Sequence, residues 1–430
     1  MNRRVVITGM GVVAPNGVGL EAYDRALRAG ESGLRHNEDM EESKFACTVA
    51  AVPQGVDEVA ESYFDEEQLM AMNSSHRYGC IAAVDAWTDA GFDVPAPDDD
   101  RVNWDAGAII GTGIGGLDTV GDRLVPMVDA GRVRRLGSTL VEQVMASGVS
   151  ARVSGILALG NQVTANSSAC STGSEAIFEG MHRIRTGHAE RMLCGGTEGA
   201  SHYIWSGFDS MRVLCRTHND RPAEASRPMS ASAGGFIPGA GAGILLLESL
   251  ESAVGRGAEI YAEVLGGAVN CGGHRNGGSM TAPNPTGVQR CIRQAVADAG
   301  VGSDEIDLIN GHLTATGADP REVENWSIAL KRGPEDFPLI HSTKSMIGHG
   351  LGAAGALESV ACLLMLRGGY VHPSISCEDV HPEIEPFAAS IPHEARESPN
   401  LSTIIKSGFG FGDVNACLVF RKWADAVSNV

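Results

Sequence analysis

Lysine is scarce in this chain of 430 residues, supplying only five of its 33 basic side chains (Lys44, Lys331, Lys344, Lys406 and Lys422). Against 53 acidic side chains this leaves a formal net charge of −20. So acidic a molecule repels phosphate backbones, which excludes unassisted nucleic-acid binding unless cations are concentrated in one patch. Aromatic residues make up only 5%, whereas glycine numbers 55, the composition of a fold with close backbone approaches and tight strand-to-helix turns. No two of the ten cysteines stand in a CxxC pair, so neither a zinc site nor a thioredoxin-like couple is supported. The chain also far exceeds the size of disulfide-stapled secreted scaffolds, and its thiols are expected to be reduced. No apolar run reaches the ~20 residues needed to span a bilayer. The most apolar segment, Leu351–Leu366, carries Glu358 and is expected to be a helix buried between layers. The amino terminus is charged and then apolar, but Gly9, Gly11 and Pro15 interrupt it, so a buried first strand is expected in place of a leader. The expectation is a soluble, cytoplasmic protein without membrane contact.

What is present is an alternation of strand and helix patterns. Strand-type runs are Val5–Val13, Gly107–Gly111, Val163–Ser168, Met192–Gly195 and Gly243–Glu248, then Ile260–Val269, Ile306–Ile309, Leu339–Ser342, Thr403–Ser407 and Ala416–Arg421. Helical patterns lie between them at Leu20–Ala29, His76–Ala90, Ser171–Thr186, Gly287–Ala299 and Leu351–Leu366. This predicts an α/β protein with a mixed, largely parallel sheet covered on both faces. Leu250–Gly257 is a plausible join between two similar halves, 1–252 and 253–430, packed as one body. Segments 31–75 and 119–150 are poorer in strand signal and read as cap insertions.

Two glycine patterns, Gly9-Met-Gly11-Val-Val-Ala14 and Gly111-Thr-Gly113-Ile-Gly115-Gly116, match a dinucleotide fingerprint. That fingerprint needs a helix opening at once behind it, and Pro15-Asn16-Gly17 prevents one at the first. No strand-end acid follows about twenty residues later to hold a ribose. Both are therefore read as tight strand turns, and a nucleotide-dependent oxidoreductase is disfavoured. Glu198, a carboxylate at a strand end in Cys194-Gly-Gly-Thr-Glu198, is read as structural because no partner acid lies nearby in sequence.

Chemistry concentrates elsewhere. In Asn166-Ser-Ser-Ala-Cys170-Ser-Thr-Gly173 a strand ends, small residues turn, and a helix opens just after the cysteine. The positive end of a helix dipole favours thiolate there, and neighbouring amides can serve an oxyanion. Two histidines stand where strands end: His312, in Asn-Gly-His-Leu-Thr314-Ala-Thr316, and His349, in His341-Ser-Thr-Lys344-Ser-Met-Ile-Gly-His349. Lys344 sits in an otherwise uncharged run, where burying it is costly unless it serves a charge or a polar network. Finally, Gly408-Phe409-Gly-Phe411-Gly follows a strand and offers a flexible backbone with two apolar blades beside a pocket.

These motifs, spread over nearly the whole chain, resemble the β-ketoacyl-acyl carrier protein synthases, the condensing enzymes of the thiolase fold, and in particular their elongating subclass, which carries a second histidine. The resemblance implies two βαβαβαββ halves in five α-β-α-β-α layers, a homodimer or a heterodimer with a paralogue, and substrates carried on the phosphopantetheine of acyl carrier protein with no further cofactor and no metal. It implies that Cys170 takes the acyl chain, that His312 and His349 promote malonyl decarboxylation, and that Lys344, with Glu358 as partner, supports that arrangement. It further implies an oxyanion hole at Cys170 and Phe411, a gate at Phe411 beside Phe409, arm binding at Thr314 and Thr316, and an acyl pocket at Gly113, Ile114 and Phe208. It also implies that Arg132-Val-Arg134-Arg135, with Arg212, stands where the family meets its carrier, Arg134, Arg135 and Arg212 being the docking cations.

Departures from the family pattern are Leu313 in place of glycine after His312, Pro228-Met-Ser-Ala-Ser-Ala-Gly-Gly235 in place of a charged run, and Asp413 in the final glycine motif. They spare Cys170 and both histidines, so activity is expected, with specialised polyketide or polyene lengthening favoured over housekeeping synthesis. The alternative, a non-catalytic chain-length partner subunit, is disfavoured by Cys170.

Overall fold

The computed structural model describes residues 3–424. Ten strands form the path of its main sheet: β1 (Val5–Ala14), β2 (Ala106–Gly111), β3 (Val163–Thr164), β4 (Arg191–Glu198), β5 (Gly241–Ser249), β6 (Ala262–Cys271), β7 (Leu308–Asn310), β8 (Leu339–His341), β9 (Thr403–Gly410) and β10 (Val414–Lys422). A two-residue strand, Gly17–Val18, pairs back onto β1. Six helices complete the two repeats: α1 (Ser74–Asp89), α2 (Gly148–Ile156), α3 (Thr172–Arg185), α4 (Pro285–Ala299), α5 (Asp319–Leu330) and α6 (Ala354–Gly368). In chain order each half reads βαβαβαββ.

The strand order is β8-β7-β9-β10-β6-β1-β5-β4-β2-β3, so each half repeats the same order outward from the centre. The halves meet where β1 and β6 pair antiparallel through Val6 and Ile7. α1 and α2 cover one outer face and α4 lies on the other, with α5 against it. Between them α3 and α6 touch strands of both halves, giving the five layers of a thiolase-like fold. The segment Leu351–Gly368 is long and apolar enough to cross a membrane, yet 89% of it is buried inside this fold. It is the core helix between the layers, entered by a 3-10 turn at Leu351–Ala353.

The expectation of a largely parallel sheet is corrected. Parallel pairing is confined to β2 with β3 and β4, and to β7 with β8 and β9. The longest ladders, β1–β5, β4–β5, β6–β10 and β9–β10, run antiparallel. In the second half the cause is local, because β9 and β10 follow one another through a short turn with no helix between them.

The first glycine pattern has a packing role. A Cβ at Gly9 would stand 2.0 Å from the Ala86 carbonyl oxygen, and one at Gly11 1.9 Å from that of Ala82. These glycines let α1 lie directly on β1. All ten cysteines are free.

Candidate active site

Cys170 lies in a 3-10 turn, Ala169–Ser171, that leads straight into α3. Preceding Ala169 takes a left-handed φ of 49°. Glycines allow the β9 end to press on this turn: a Cβ at Gly410 would sit 3.0 Å from the Cys170 nitrogen, and one at Gly408 3.4 Å from its carbonyl oxygen. Ser171 pins the two together, donating its hydroxyl to the carbonyls of Gly408 (3.0 Å) and Val414 (3.2 Å). Phe411 and Cys170 thereby present their backbone N–H groups to the thiol.

The pull of the helix dipole towards thiolate is opposed here. Burial pushes the Cys170 thiol up to about 11, outweighing the Phe411 and Cys170 amides and the Lys344 ammonium that pull it down. The side chain is half-buried at a cavity of about 410 Å³ that His312, His349, Phe409 and Phe411 also line.

The Cys170 sulfur and one ring nitrogen from each of His312 and His349 lie within 4.8 Å of one another. The imidazoles meet edge to face, centroids 5.4 Å apart. His349 is fixed through its backbone, donating to the Ile237 carbonyl (2.7 Å) and accepting from Gly239 (2.9 Å). Its Nδ1 accepts the Leu351 N–H at 3.1 Å, so the neutral ring carries its proton on Nε2. Burial and the ammonium groups of Lys344 and Lys406 hold both rings well below the usual histidine range, His349 adding to the effect on His312. Both therefore act as neutral N–H donors at neutral pH. A Cys-His-His set could in principle ligate a metal, but two buried ammonium groups oppose a further cation, and the His349 tautomer spends its lone pair on Leu351.

Beneath the site, Glu358 on α6 pairs with Lys344 through Oε1, and its Oε2 stands 3.0 Å from Lys406 on β9. The second contact is an ion pair whose angle lies outside hydrogen-bonding range. The pairing of Lys344 with Glu358 matches the implied partnership; Lys406 is an addition that the sequence did not announce.

The His312 loop hangs on two further carboxylates at the start of α5. Glu322 accepts the N–H groups of His312 (2.6 Å) and Leu313 (2.7 Å). Asp319 accepts those of Thr314 (2.9 Å), Ala315 (3.1 Å) and Met229 (2.9 Å). Burial pushes Asp319 up to about 6 and Glu322 to about 7, while the backbone donors pull both down. Leu313 takes a φ of 22°, a region that favours glycine, and its fully buried side chain offsets that strain by packing into the core. Thr314 and Thr316 line the cavity with hydroxyl oxygens 3.0 Å apart.

Phe208 and Phe411 both line the cavity, ring centroids 6.0 Å apart, and Phe208 meets Phe236 at 5.5 Å. Gly113 and Ile114 lie outside that lining. Their N–H groups donate to buried Glu198 (2.9 and 3.3 Å), which also accepts from Thr112 (2.9 Å) and Gly352 (2.8 Å). Glu198 is thus a strut tying this loop to the entry of α6. Arg134 and Arg135 are exposed in a short turn, Val133–Arg135, and Arg212 is exposed next to the cavity residue Val213.

Known proteins resemble this chain over nearly its whole length. Residues 2–253 match the model of the β-ketoacyl synthase N-terminal domain, and residues 261–378 that of its C-terminal domain. The chain is 36% identical over 424 residues to the chloroplastic 3-oxoacyl-[acyl-carrier-protein] synthase I of Arabidopsis thaliana, covering 97% of this chain and 86% of that protein. It is 34% identical over 424 residues to 3-oxoacyl-[acyl-carrier-protein] synthase 2 of Vibrio cholerae, covering 98% of this chain and 99% of that one. Among solved structures, a β-ketoacyl synthase from Burkholderia phymatum superposes with a TM-score of 0.89 at 30% identity, covering 98% of this chain and 100% of that one. The ishigamide ketosynthase/chain length factor does so with a TM-score of 0.86 at 31% identity, covering 99% and 100%. With its halves, its Cys-His-His site and its full-length relatives in agreement, the chain belongs to the β-ketoacyl synthase family.

Proposed function

We propose that the protein is an elongating β-ketoacyl-[acyl-carrier-protein] synthase, joining a Cys170-bound acyl chain to malonyl-carrier protein by decarboxylative Claisen condensation. The observation that carries this is the convergence of one thiol and two neutral imidazoles at a deep apolar cavity. A thioester on cysteine suits the reaction because sulfur both attacks and leaves. Transfer begins as the Cys170 sulfur attacks the incoming thioester, and the proton it gives up ends on the sulfur of the departing arm; the tetrahedral oxyanion is met by the N–H groups of Cys170 and Phe411. The arm then leaves, and malonyl-carrier enters along Thr314 and Thr316. Loss of CO2 leaves an enolate, whose oxygen receives hydrogen bonds from His312 and His349 without any strong base. Its carbon attacks the acyl-Cys170 carbonyl, and the sulfur departs.

Phe411 gates the cavity beside Phe409, and Phe208 flanks the chain, whereas Gly113 and Ile114 stand outside the cavity lining. Arg134, Arg135 and Arg212 receive the carrier, which supplies all substrates on phosphopantetheine. A type II PKS acyl-carrier protein has been seen in complex with its ketosynthase, in a structure to which this chain is 28% identical with a TM-score of 0.85, covering 98% of this chain. Residues 1–252 and 253–430 act as two units of one body. The protein works in the cytoplasm as a dimer, with β3 the free edge of the sheet just ahead of Cys170. Lengthening serves fatty acid or specialised polyketide and polyene chains.

The test is to incubate the protein with acyl- and malonyl-loaded carrier and identify the carrier-bound product by mass. A 3-oxoacyl chain two carbons longer, with one CO2 released per product, is expected. Its absence, with both loaded carriers intact, would overturn the proposal.

A further inference from the structure

Two buried ammonium groups share one buried carboxylate beneath the reaction centre. Lys344 and Lys406 are 1% and 0% exposed, and Glu358 is 1% exposed. Lys406 rises from β9, three residues before Phe409. Its Nζ donates to the Ser407 carbonyl (2.7 Å) and to the Ser174 hydroxyl on α3 (3.1 Å), one turn beyond Cys170, and lies 3.0 Å from Glu358 Oε2. One carboxylate cannot neutralise two ammonium groups, so the cluster keeps a surplus of positive charge in a place buried from solvent.

Uncompensated buried charge is expensive, and a fold keeps it where it meets an opposite charge. Among the described residues no carboxylate other than Glu358 stands within ion-pair distance of either ammonium group. α6 contributes Glu358 and Cys362, β10 contributes Cys417, α3 contributes Ser174, and the loops contribute Lys344, His312 and His349. The remaining neighbour, Glu322, spends its oxygens on His312, Leu313, Trp326 and Ser407. The condensation itself does make anions here: the tetrahedral oxyanion, the enolate and the departing thiolate.

We infer that Lys406 is a positioning residue for this chemistry, supplying surplus buried positive charge that matches the negative charge arising at Cys170. This rests on the condensing activity proposed above. Lys406 acts through its field, since Nζ is occupied by Ser174, Ser407 and Glu358 and does not line the cavity. The field also fixes a sign. Removing a positive charge makes both imidazoles easier to protonate. A proton on His349 Nδ1 would face the Leu351 N–H that now donates to it, displacing the ring.

The experiment measures steady-state condensation against pH with acyl- and malonyl-loaded carrier, for the wild type and for Lys406→Met, which keeps the length of the stem. The expected result is a kcat lower by on the order of tenfold at neutral pH. KM for carrier stays unchanged, and the acid limb of kcat moves to higher pH. A strut without an electrostatic role would lower thermal stability and leave the limb in place, and an unmoved limb overturns the inference. Lys406→Ser, which leaves room for water, is the second variant, and loss of the fold in both would also overturn it. Wild-type turnover with an unmoved limb contradicts the role of Lys406 alone, whereas no wild-type turnover contradicts the condensing activity itself.

Discussion

A thiol that burial holds at about 11 contains almost no thiolate at neutral pH, so Cys170 owes its reactivity to what surrounds the attack. The helix opening at Thr172 favours thiolate, and desolvation at the cavity outweighs that contribution. The proposed mechanism divides the work between residues: Cys170 would hold the chain, and the imidazoles would stabilise the enolate. His349→Ala is expected to lower malonyl decarboxylation by about 10²-fold or more, the scale of losing one oxyanion donor, while acylation of Cys170 remains measurable. Near wild-type CO2 release from this variant, followed with labelled malonyl-carrier, would contradict its assignment as a donor. At this scale the sequence was legible where rare residue types stood in loops of small residues, as with Cys170, His312, His349 and Lys344. Lys406 escaped notice because it interrupts an apolar strand without any motif. Asp319 and Glu322 escaped because their partners are backbone N–H groups, which no side-chain pattern records.

Elements were legible to the degree that burial imposed a period. All ten strand-type runs correspond to strands, most of them within two residues at each end. Val163–Ser168 shrinks to Val163–Thr164, since the rest turns towards Cys170. α3, α4 and the helix Leu20–Ala29 appear where the helical patterns indicated them; in the structure α4 begins at Asn284-Pro285 and ends at Gly300, a cap at each end. α2 was hidden by Gly148, Gly155 and β-branched residues, and α5 by its polar opening Asp319-Pro320-Arg321-Glu322. The opening of α5 is polar because Asp319 and Glu322 hold the His312 and Thr314 loop, so the feature that obscured the helix is the one that builds the site. Strand direction could not be read from composition, because the antiparallel pairs are as buried and apolar as the parallel ones.

For the whole molecule, a charge of −20 makes docking a local matter. Carrier protein is itself acidic by the family resemblance, so the overall fields repel, and a concentrated cationic patch must offset that. Arg134, Arg135 and Arg212 are exposed, and Arg212 adjoins the cavity through Val213. Reversing Arg134 and Arg135 to Glu is expected to raise the apparent KM for carrier about tenfold with little change in kcat, the effect being strongest at low salt. An unchanged KM would place docking elsewhere. The central claim, that the chain is carried on one particular sulfur, can be examined directly. The protein is incubated with acyl-loaded carrier alone, and intact and peptide masses are recorded for the wild type and for Cys170→Ala. The account predicts one acyl group per chain, on the peptide containing Cys170, and none in the variant; acylation that survives Cys170→Ala would contradict it.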